Sequence, residues 1–408
     1  MKTQRESNAT LSKRYMCPLI TAPMLQRTSS TARSPIPIAK ILPSGPKLNS
    51  EQAGSGSNNN GNHNKSSTDC IGTIGQLIQI YQYAVHPEEE DFLLAFSILL
   101  HEDLSRAIRL ISAIYRPHNY YCIHVDRKTP VDYLLALQNV TDCLGSNIYF
   151  VPDEQRVNVQ WGTLSVLEPE LICARYLLNA HKKWKYWINL TGQEFPLRTN
   201  LELVRALQAF DGINLVERIY NRRNLERFPP SNYLNFSITW FKGSVHVALR
   251  REFVNCMLNN EKAKAILDAL RRYEHDAKQS IVVDETFFAT LNNNPSVIPI
   301  PGAIEHMPEK HPGGFITRAK IWQDQDYPCG SGHWQRTICI FGVKDLPFLL
   351  QQPHFFANKF IPSVEPLAYD VLESWLGSKV RHEKLVGTLH PSFNSSYYRW
   401  LGSTWTHL

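Results

Sequence analysis

The chain has 408 residues, of which 43% are hydrophobic and 20% are charged, a composition that indicates a globular protein and excludes a fibrous or wholly disordered one. This length is enough for one large domain or two of medium size, with ample apolar material for a core. The net charge of +6 comes entirely from residues 1–69, which carry nine Lys or Arg and three acidic residues. Because the rest is neutral, a nucleic acid or a charged membrane surface is not the expected partner of the folded part.

Signals for the secretory pathway are mixed. No stretch approaches the ~18–20 apolar residues that span a bilayer, and residues 1–30 lack the apolar core of a signal peptide. Eight Cys and six Asn-x-Ser/Thr sequons nevertheless favour an oxidising, glycosylating compartment. The sequons begin at Asn8, Asn64, Asn139, Asn189, Asn235 and Asn394. Asn189 lies at the end of an apolar strand, so we do not expect it to carry a glycan.

Residues 1–69 are rich in Ser, Thr, Asn, Pro and Gly. Such a composition buries too little apolar surface to offset chain entropy, so we predict a disordered stem or tail. The first fifty residues are also basic and rich in hydroxyl groups, as in a mitochondrial transit peptide, although their prolines disfavour the amphipathic helix that such a peptide forms. We expect a folded domain over residues 70–385 and a C-terminal tail over 386–408.

Apolar runs and helical periodicities alternate along the folded part. The run 92–100 predicts a buried strand, and Leu104, Ile108, Ile111 and Ile114 follow it at helical spacing. Further strands are predicted at 120–126, 147–151 and 185–190, and further helices at 131–140 and 164–180. This alternation predicts an α/β fold with a mostly parallel sheet and helices on both faces.

Polar residues follow three of the predicted strands. They form the stretches 101–103 (His-Glu-Asp), 124–127 (His-Val-Asp-Arg) and 189–196 (Asn-Leu-Thr-Gly-Gln-Glu-Phe-Pro). Ligands of open α/β sheets bind outside the carboxyl ends of the strands. These stretches are therefore candidates for a binding site.

A carboxylate pair, Asp284 and Glu285, ends the apolar run 281–283 and precedes an apolar, helix-like segment. A Glu held in partly apolar surroundings at such a place suits a general base. Alternatively, the pair forms the N-terminal cap of the helix and interacts with its dipole. The ten residues 282–291 alone leave both interpretations open.

About ten blocks of the sequence, in order over residues 70–378, resemble the branching β-1,6-N-acetylglucosaminyltransferases. That family includes the core 2 enzymes of mucin-type O-glycan synthesis and, more distantly, the peptide O-xylosyltransferases. The blocks include 95–101, 121–126, 158–162, 184–202, 242–254, 282–291, 333–342 and 356–360. The resemblance implies a single catalytic domain of GT-A type (Rossmann-like) and inverting transfer from a UDP-sugar.

The resemblance also implies a role for individual residues of the donor site. The family's catalytic base falls on Glu285, where the residue-level hypothesis also places a base. The family looks metal-independent, with Arg336 and Lys359 in the place of a cation, so we expect no metal or other cofactor; an Arg fork and a Lys both bind phosphate oxygens. Asp126, with His124 and Val125 before it, would bind the uridine portion.

Each donor residue has an alternative interpretation. Arg336 and Lys359 could be ordinary surface cations, and Asp126 could cap a helix. A literal Asp-x-Asp motif occurs at Asp324 and Asp326, but it follows the predicted base and lies in a polar loop. We interpret it as a solvated turn.

For the acceptor, the resemblance implies an acidic residue, basic residues and a Trp. The matching positions are Glu217, Arg223, Arg227 and Trp322. Trp322 could instead belong to the core. Asp324 replaces an aromatic neighbour that the family has beside this Trp, which bears on the identity of the acceptor.

The cysteines include no Cys-x-x-Cys pair, which disfavours a zinc site. The resemblance implies the disulfides Cys70–Cys143, Cys122–Cys173 and Cys329–Cys339, with Cys17 and Cys256 free. Three disulfides require an oxidising compartment.

The resemblance therefore predicts an enzyme that transfers N-acetylglucosamine from UDP-N-acetylglucosamine to the 6-hydroxyl of GalNAc or Gal in the O-glycan of a glycoprotein, making a β-1,6 branch. It implies a type II membrane protein of the Golgi; since no anchor is visible, we expect either a longer N-terminus or a soluble form. One rival is a peptide O-xylosyltransferase that uses UDP-xylose. Another is a non-catalytic glycan-binding descendant of the fold, which would have lost the base or the phosphate-binding cations.

Overall fold

The structure is a computed structural model that describes residues 85–221, 223–304, 312–325 and 327–404. The predicted stem, Cys70 and Asp326 lie outside the described residues. The strands are β1 (Leu94–Leu100), β2 (Tyr120–Val125), β3 (Ile148–Phe150), β4 (Tyr186–Thr191), β5 (Glu194–Pro196), β6 (Ala248–Arg250), β7 (Arg318–Ala319), β8 (Trp334–Gln335), β9 (Ile338–Cys339) and β10 (Phe356–Asn358). The helices are α1 (Pro87–Asp91), α2 (Leu104–Ile114), α3 (Val131–Thr141), α4 (Glu168–Ala180), α5 (Asn200–Ala209), α6 (Arg251–Asn259), α7 (Glu261–Ala277), α8 (Asp284–Asn292), α9 (Pro312–Phe315), α10 (Leu346–Leu349), α11 (Pro366–Val386) and α12 (Ser395–Ser403).

The central sheet has the strand order β3-β2-β1-β4-β6. Its first four strands are parallel, and β6 pairs antiparallel with β4. Since β1 lies in the middle, almost every residue in it is buried, which explains its continuous apolar run. The prediction of a mostly parallel α/β sheet is confirmed.

Alternate residues of β1 point to opposite faces of the sheet and into two hydrophobic clusters. Leu94, Phe96 and Ile98 pack with residues of α2, α5 and α12 on one face. Ala95 packs with residues of α4, α6, α7 and α8 on the other. Helices therefore cover both faces, as predicted, and the ends of β1, β2 and β4 meet at one edge of the sheet.

Predicted and observed boundaries differ most at α4. The apolar spacing predicts a helix from residue 164, but residues 164–166 form a short 3₁₀ turn and α4 begins at Glu168. Pro169 occupies the first turn of α4, where its fixed φ and missing N–H are tolerated. The proline thus sets the start of the helix.

Besides the central sheet, the fold contains a smaller sheet and a hairpin. Several of the predicted site residues lie in them or directly after their strands. In the small sheet, β10 pairs antiparallel with β5 and parallel with β7. The hairpin joins β8 to β9 through Arg336 and Thr337, which have φ values of 50° and 62°. Two consecutive residues with positive φ are what a tight hairpin turn requires, although such a backbone is uncommon for residues other than Gly.

The segment 386–408, which the sequence analysis treats as a tail, contains α12. Tyr398 and Leu401 of this helix are buried in the same cluster as β1. A Cβ on Gly402 would lie 2.1 Å from the carbonyl oxygen of Ala209, so glycine is needed for the close contact between α12 and α5. The chain is therefore packed into the domain almost to its last described residue.

No helix within the described ranges combines the length and the apolarity that crossing a bilayer would require.

Candidate active site

The carboxylate pair Asp284 and Glu285 occupies the first turn of α8. The N-cap residue is Val283, and no side chain caps the helix, so the pair interacts with the helix dipole without forming the cap. Asp284 is buried, and burial, together with the charge of Glu285, raises the pKa of its carboxyl to about 7. The Glu285 side chain is 29% exposed and borders the main cavity of the site.

Two cations approach the Glu285 carboxylate. Arg227 Nη1 lies 3.1 Å and Lys242 Nζ 3.6 Å from the same atom, Glu285 Oε2. The backbone carbonyl of Glu285 accepts a hydrogen bond of 2.7 Å from Gly243 N. A Cβ on Gly243 would lie 2.3 Å from the carbonyl oxygen of Glu217, so this close approach needs glycine. Backbone and side-chain contacts together fix the direction of the carboxylate.

The cavity beside Glu285 has a volume of about 1170 Å³, larger than the roughly 300–1,000 Å³ of typical small-molecule pockets. Its lining combines apolar side chains with polar groups of both signs of charge. The lining includes Glu217, Lys242, Glu285, Lys320, Trp322 and Asp324. A cavity of this size and polarity suits a ligand with many hydroxyl groups.

Two of the four predicted acceptor residues line this cavity, and a third contacts Glu285. Glu217 and Trp322 line it, and Trp322 is only partly buried, so it is not a core residue. Arg227 contacts Glu285 directly. Arg223 does not join them: its guanidinium lies 3.7 Å from the Tyr220 ring centroid and donates to the Tyr220 carbonyl.

Asp126 lies at the end of β2, where the sequence analysis expects a donor site. Its Oδ1 accepts a 2.8 Å hydrogen bond from Lys128 N, and its Oδ2 a 3.3 Å bond from Val159 N. The next helix, α3, begins at Val131 after Pro130 as N-cap and has no side-chain cap. The alternative of Asp126 as a helix cap is therefore wrong.

The neighbours of Asp126 tie β2 to the segment 156–161. His124 Nε2 accepts a 2.8 Å hydrogen bond from Val157 N. Burial lowers the pKa of His124 to about 4, so the neutral ring is the form that accepts this bond. Arg156 donates to the carbonyl oxygens of Val125 and Asp126 at 2.9 and 2.8 Å. These bonds hold the segment along the end of the strand.

The segment 156–161 contacts Arg336 through Trp161, and Arg336 lies near Lys359. The Arg336 guanidinium lies 4.5 Å from the ring centroid of Trp161, within the range of a cation–π contact. Lys359 Nζ donates a 3.0 Å hydrogen bond to Gln335, the residue before Arg336. Burial, followed by the positive charge of Arg336, lowers the pKa of Lys359 to about 8. Two neighbouring cations suit a multiply charged anion such as a pyrophosphate.

The structure brings Arg336 close to Lys359 and to Trp161, and Val159 of the same segment donates to Asp126. The hypothesis of ordinary surface cations does not fit Lys359, which is only 7% exposed. Thr337, next to Arg336, lines the same cavity as Glu285. The hairpin that carries Arg336 therefore reaches the cavity on which Glu285 lies.

Sequence reasoning missed several residues of the site. Lys242 is the first residue of the block 242–254, but no pattern in the sequence predicts its position beside Glu285. Lys320 and Trp161 likewise gave no pattern of their own. A buried ion pair also escaped notice: Glu194, fully buried, lies 2.8 Å from Arg318 Nε and 3.2 Å from His246 Nδ1. It lies next to the cavity, since Arg318 is among the lining residues.

The cysteines follow the predictions in part. Cys329 and Cys339 form a disulfide, and Cys143 is disulfide-bonded, although its predicted partner Cys70 lies outside the described residues. Cys256 is free, as predicted. The predicted Cys122–Cys173 bridge is not formed: both are buried free thiols.

A physical reason for these two free thiols lies in their burial. Cys122 and Cys173 adjoin each other in the core, and burial, with the neighbouring Cys122 sulfur, raises the pKa of the Cys173 thiol well above its usual value. Because the thiolate is the form that attacks in disulfide exchange, the raised pKa of the Cys173 thiol disfavours formation of the bridge.

Asn189 is 1% exposed, so its sequon is sealed in the folded domain. Its amide donates to Glu170 and to the Val245 carbonyl, and its oxygen accepts from Val247 N. The side chain is a structural bridge next to the cavity.

Comparison with known proteins gives a consistent result. The family model described as "Core-2/I-Branching enzyme" matches residues 94–349. The chain is 32% identical to a beta-1,3-galactosyl-O-glycosyl-glycoprotein beta-1,6-N-acetylglucosaminyltransferase 4 of Danio rerio, over 76% of each protein. It is 30% identical to an enzyme of the same name without a number from Homo sapiens, over 79% of this chain and 77% of the human protein. A number 3 enzyme of Bos taurus is also 30% identical, over 75% and 72%.

Proposed function

The chain belongs to the core-2/I-branching enzyme family, and from that premise we propose that it transfers N-acetylglucosamine from UDP-N-acetylglucosamine to the 6-hydroxyl of GalNAc or Gal in the O-glycan of a glycoprotein. The product carries a β-1,6 branch. The observation that carries the proposal is the position of Glu285 on the cavity that also reaches the Arg336 hairpin.

In the proposed reaction, a Glu285 carboxylate oxygen takes the proton of the acceptor hydroxyl as that oxygen attacks the anomeric carbon of the donor. The new C–O bond forms as the bond from the anomeric carbon to the UDP oxygen breaks. UDP leaves from the opposite face with the electron pair, so the configuration inverts. Arg227 and Lys242, both within 4 Å of Glu285 Oε2, hold the base in place for this transfer.

The leaving UDP gathers negative charge on its pyrophosphate. We propose that Arg336 and Lys359 neutralise this charge and that the reaction needs no metal ion. A guanidinium and an ammonium side by side support this proposal because they supply the charge that a divalent cation would supply. Asp126, held by backbone N–H groups at the end of β2, would bind the uridine portion.

The rival functions make different demands on the same residues. A non-catalytic glycan-binding protein needs neither a base nor phosphate-binding cations, so the presence of Glu285 on the cavity and of Arg336 beside Lys359 supports the enzyme. A peptide O-xylosyltransferase shares the base and differs in the donor, since UDP-xylose lacks the N-acetyl and hydroxymethyl groups. The choice of donor therefore has to be made by experiment.

The deciding experiment measures sugar transfer to a Gal-β-1,3-GalNAc aryl glycoside in the presence of EDTA. The wild type should transfer N-acetylglucosamine, and Glu285→Gln should be slower by about 10²–10⁴-fold, the usual contribution of a general base. Glu261→Gln, a change at a carboxylate that is 87% exposed on α7, serves as the matched control and should keep full activity. Activity that needs added metal would contradict the metal-free part of the proposal. Transfer of xylose to a Ser-Gly peptide, or glycan binding without transfer, would favour a rival.

We also propose residence in the Golgi with a membrane tether, a stem over residues 1–69 and a catalytic domain beginning near residue 70. The disulfide between Cys329 and Cys339 supports an oxidising compartment. Co-localisation of the full chain with Golgi markers in cells would test this assignment.

A further inference from the structure

Lys320 follows β7 and lines the same cavity as Glu285 and Glu217. Its ammonium lies 5.4 Å from the ring centroid of Trp322. Within the described part of the chain, neither Lys320 nor the Glu217 carboxylate makes a hydrogen bond or a close ion pair with another residue. Glu217 is only 9% exposed. Two opposite charges therefore face one cavity without a direct partner, although desolvation makes unpaired polar groups costly.

The other cations that line the cavity or contact Glu285 are paired with carboxylates. Arg227 and Lys242 both contact Glu285 Oε2, and Arg318 is paired with Glu194. Lys320 and Glu217 remain as one positive and one negative group that balance each other; the carboxylate of Asp324 also lines the cavity but is exposed to solvent. A ligand that satisfies both groups is neutral itself and offers both a donor and an acceptor, as neighbouring hydroxyl groups of a sugar do.

We propose that Lys320 is a further acceptor-binding residue and that it holds one neutral sugar of the acceptor together with Glu217. Glu217 accepts a hydrogen bond from one hydroxyl, and Lys320 donates a hydrogen bond to a neighbouring oxygen. The ring of Trp322 supplies an apolar face against the same sugar. This inference rests on the proposed function for the identity of the acceptor but assigns a residue that the function does not require.

The protonation behaviour of the pair is consistent with this role. Burial raises the pKa of Glu217 to about 7, and burial lowers the pKa of Lys320 to about 8. Both groups are charged only between these values, so acceptor binding should be tightest there and weaken on either side. Each charge favours the other, because Lys320 lowers the pKa of Glu217 and Glu217 raises that of Lys320.

Other charged groups face this pair from the surrounding elements. Glu285 and Lys242 act on Glu217, and Glu285, Glu194 and Arg318 act on Lys320. His246 and Lys359 also lie within electrostatic reach of Lys320, as shown by the lowering of their pKa values. Asp284, whose pKa is raised to about 7, titrates in the same range. Since these groups are unchanged in the variants below, differences between variants report on Lys320.

The test measures binding rather than transfer, by calorimetry of the full chain with UDP and a Gal-β-1,3-GalNAc aryl glycoside. At a pH between the two pKa values, Lys320→Met should weaken acceptor binding about tenfold or more, the loss expected for a hydrogen bond to a charged group. Affinity for UDP should not change. Lys320→Arg keeps a cation and should keep most of the affinity. Lys264→Met, a change on the exposed face of α7, is the matched control and should bind like the wild type.

A pH series distinguishes binding from a merely structural role. In Lys320→Arg the weakening of acceptor binding above pH 8 should disappear, because Arg stays charged. In Lys320→Met the acidic midpoint should move to higher pH, because Glu217 loses the charge that lowers its pKa. Unchanged acceptor affinity in Lys320→Met would overturn the proposal, as would an equal loss of acceptor and UDP affinity with no shift of the acidic midpoint.

The same experiment separates this inference from the proposed function. A wild type that binds the disaccharide through Lys320 but transfers no N-acetylglucosamine would refute the proposed function and support this inference. A preference of the wild type for an acceptor with glucuronic acid in place of galactose, lost in Lys320→Met, would overturn it, because Lys320 would then recognise an anion.

Discussion

Two regions of the molecule are built in different ways: the donor edge, our name for the proposed donor-binding region around Asp126 and His124, and the acceptor cavity, our name for the proposed acceptor-binding cavity lined by Glu217 and Lys320. At the donor edge, Asp126 and His124 are held by backbone N–H groups, next to parallel strands whose ends must align. In the acceptor cavity, Glu217 and Lys320 project from irregular chain or from the end of a two-residue strand and have no close polar partner in the described structure. Replacing a side chain that is hydrogen-bonded to the backbone breaks those bonds. Replacing a side chain that has no close polar partner breaks no hydrogen bond. We therefore expect the acceptor cavity to tolerate substitutions better than the donor edge.

The largest expected effect concerns the ion pair that lies between the two regions. Glu194→Gln leaves the buried Arg318 without its carboxylate partner, and breaking a buried pair in this way costs about 3–5 kcal/mol. We expect the free energy of unfolding in urea to fall by this amount, together with weaker acceptor binding.

Glu252→Gln is the matched control for this change, because its carboxylate is 53% exposed and paired with a surface Arg. It should cost less than about 1 kcal/mol. If Glu194→Gln is as stable as this control, the two regions do not depend on a shared buried pair.

A second expected effect is confined to the donor edge. Arg336→Met removes the fork that we assign to the pyrophosphate, and the loss of hydrogen bonds to a charged group costs about 1.5–3 kcal/mol, or about 10–100-fold in the dissociation constant of UDP. Acceptor affinity, measured with UDP saturating, should stay within a few-fold of the wild type.

For this prediction, Arg271→Met on the exposed part of α7 is the control and should bind UDP normally. A larger effect of Arg336→Met on acceptor than on UDP would place Arg336 in the other region and remove the distinction drawn here.

The smallest expected effect is a pH dependence of donor binding. The pKa of Lys359 is lowered to about 8, first by burial and then by the charges of Arg336 and Lys320, against the opposing effect of Glu102 and Glu194. Below this value Lys359 is charged and UDP affinity should be constant; above it the affinity should fall by up to about tenfold per pH unit.

Calorimetric titrations with UDP across this range would measure the effect, with Lys359→Arg as the reference that stays charged. The His124 ring titrates far below the range and does not contribute. A wild-type profile that matches that of Lys359→Arg would show that Lys359 does not contact the donor.

The same contrast explains which residues could be predicted from the sequence. The ends of β2 and β4 could be predicted because a parallel strand buried on both faces gives a continuous apolar run in the sequence. The first polar residue after the run marks the end of the strand. The position of Glu285 could be predicted for a similar reason, since it follows the apolar run 281–283. The family resemblance then supplied Arg336 and Lys359, which lie in the short hairpin and after the short strand β10, where no periodicity exists.

Residues of the acceptor cavity were harder to predict because their positions depend on distant parts of the chain. Arg318 and Lys320 lie on the same side of a short extended segment, but only Arg318 finds a carboxylate, at Glu194, far away in sequence. The direction of Arg223 was hard to predict because the loop around it has no repeating pattern; in the structure its guanidinium stacks on Tyr220, and its role in acceptor binding stays a prediction. The Cys122–Cys173 bridge was wrong because proximity does not decide the redox state of two buried thiols.

Helix α12 has a consequence for how the protein is made. Tyr398 and Leu401 belong to the same cluster as Leu94 in β1, and the Tyr398 hydroxyl donates to the carbonyl of Pro353, next to the cavity-lining His354. Contacts between such distant parts of a chain form late and slowly. During synthesis on the ribosome, the first strand of the sheet therefore waits for the final residues of the domain before its core closes. The nascent chain exposes apolar surface throughout that interval, so we expect it to be prone to aggregation until its synthesis is complete.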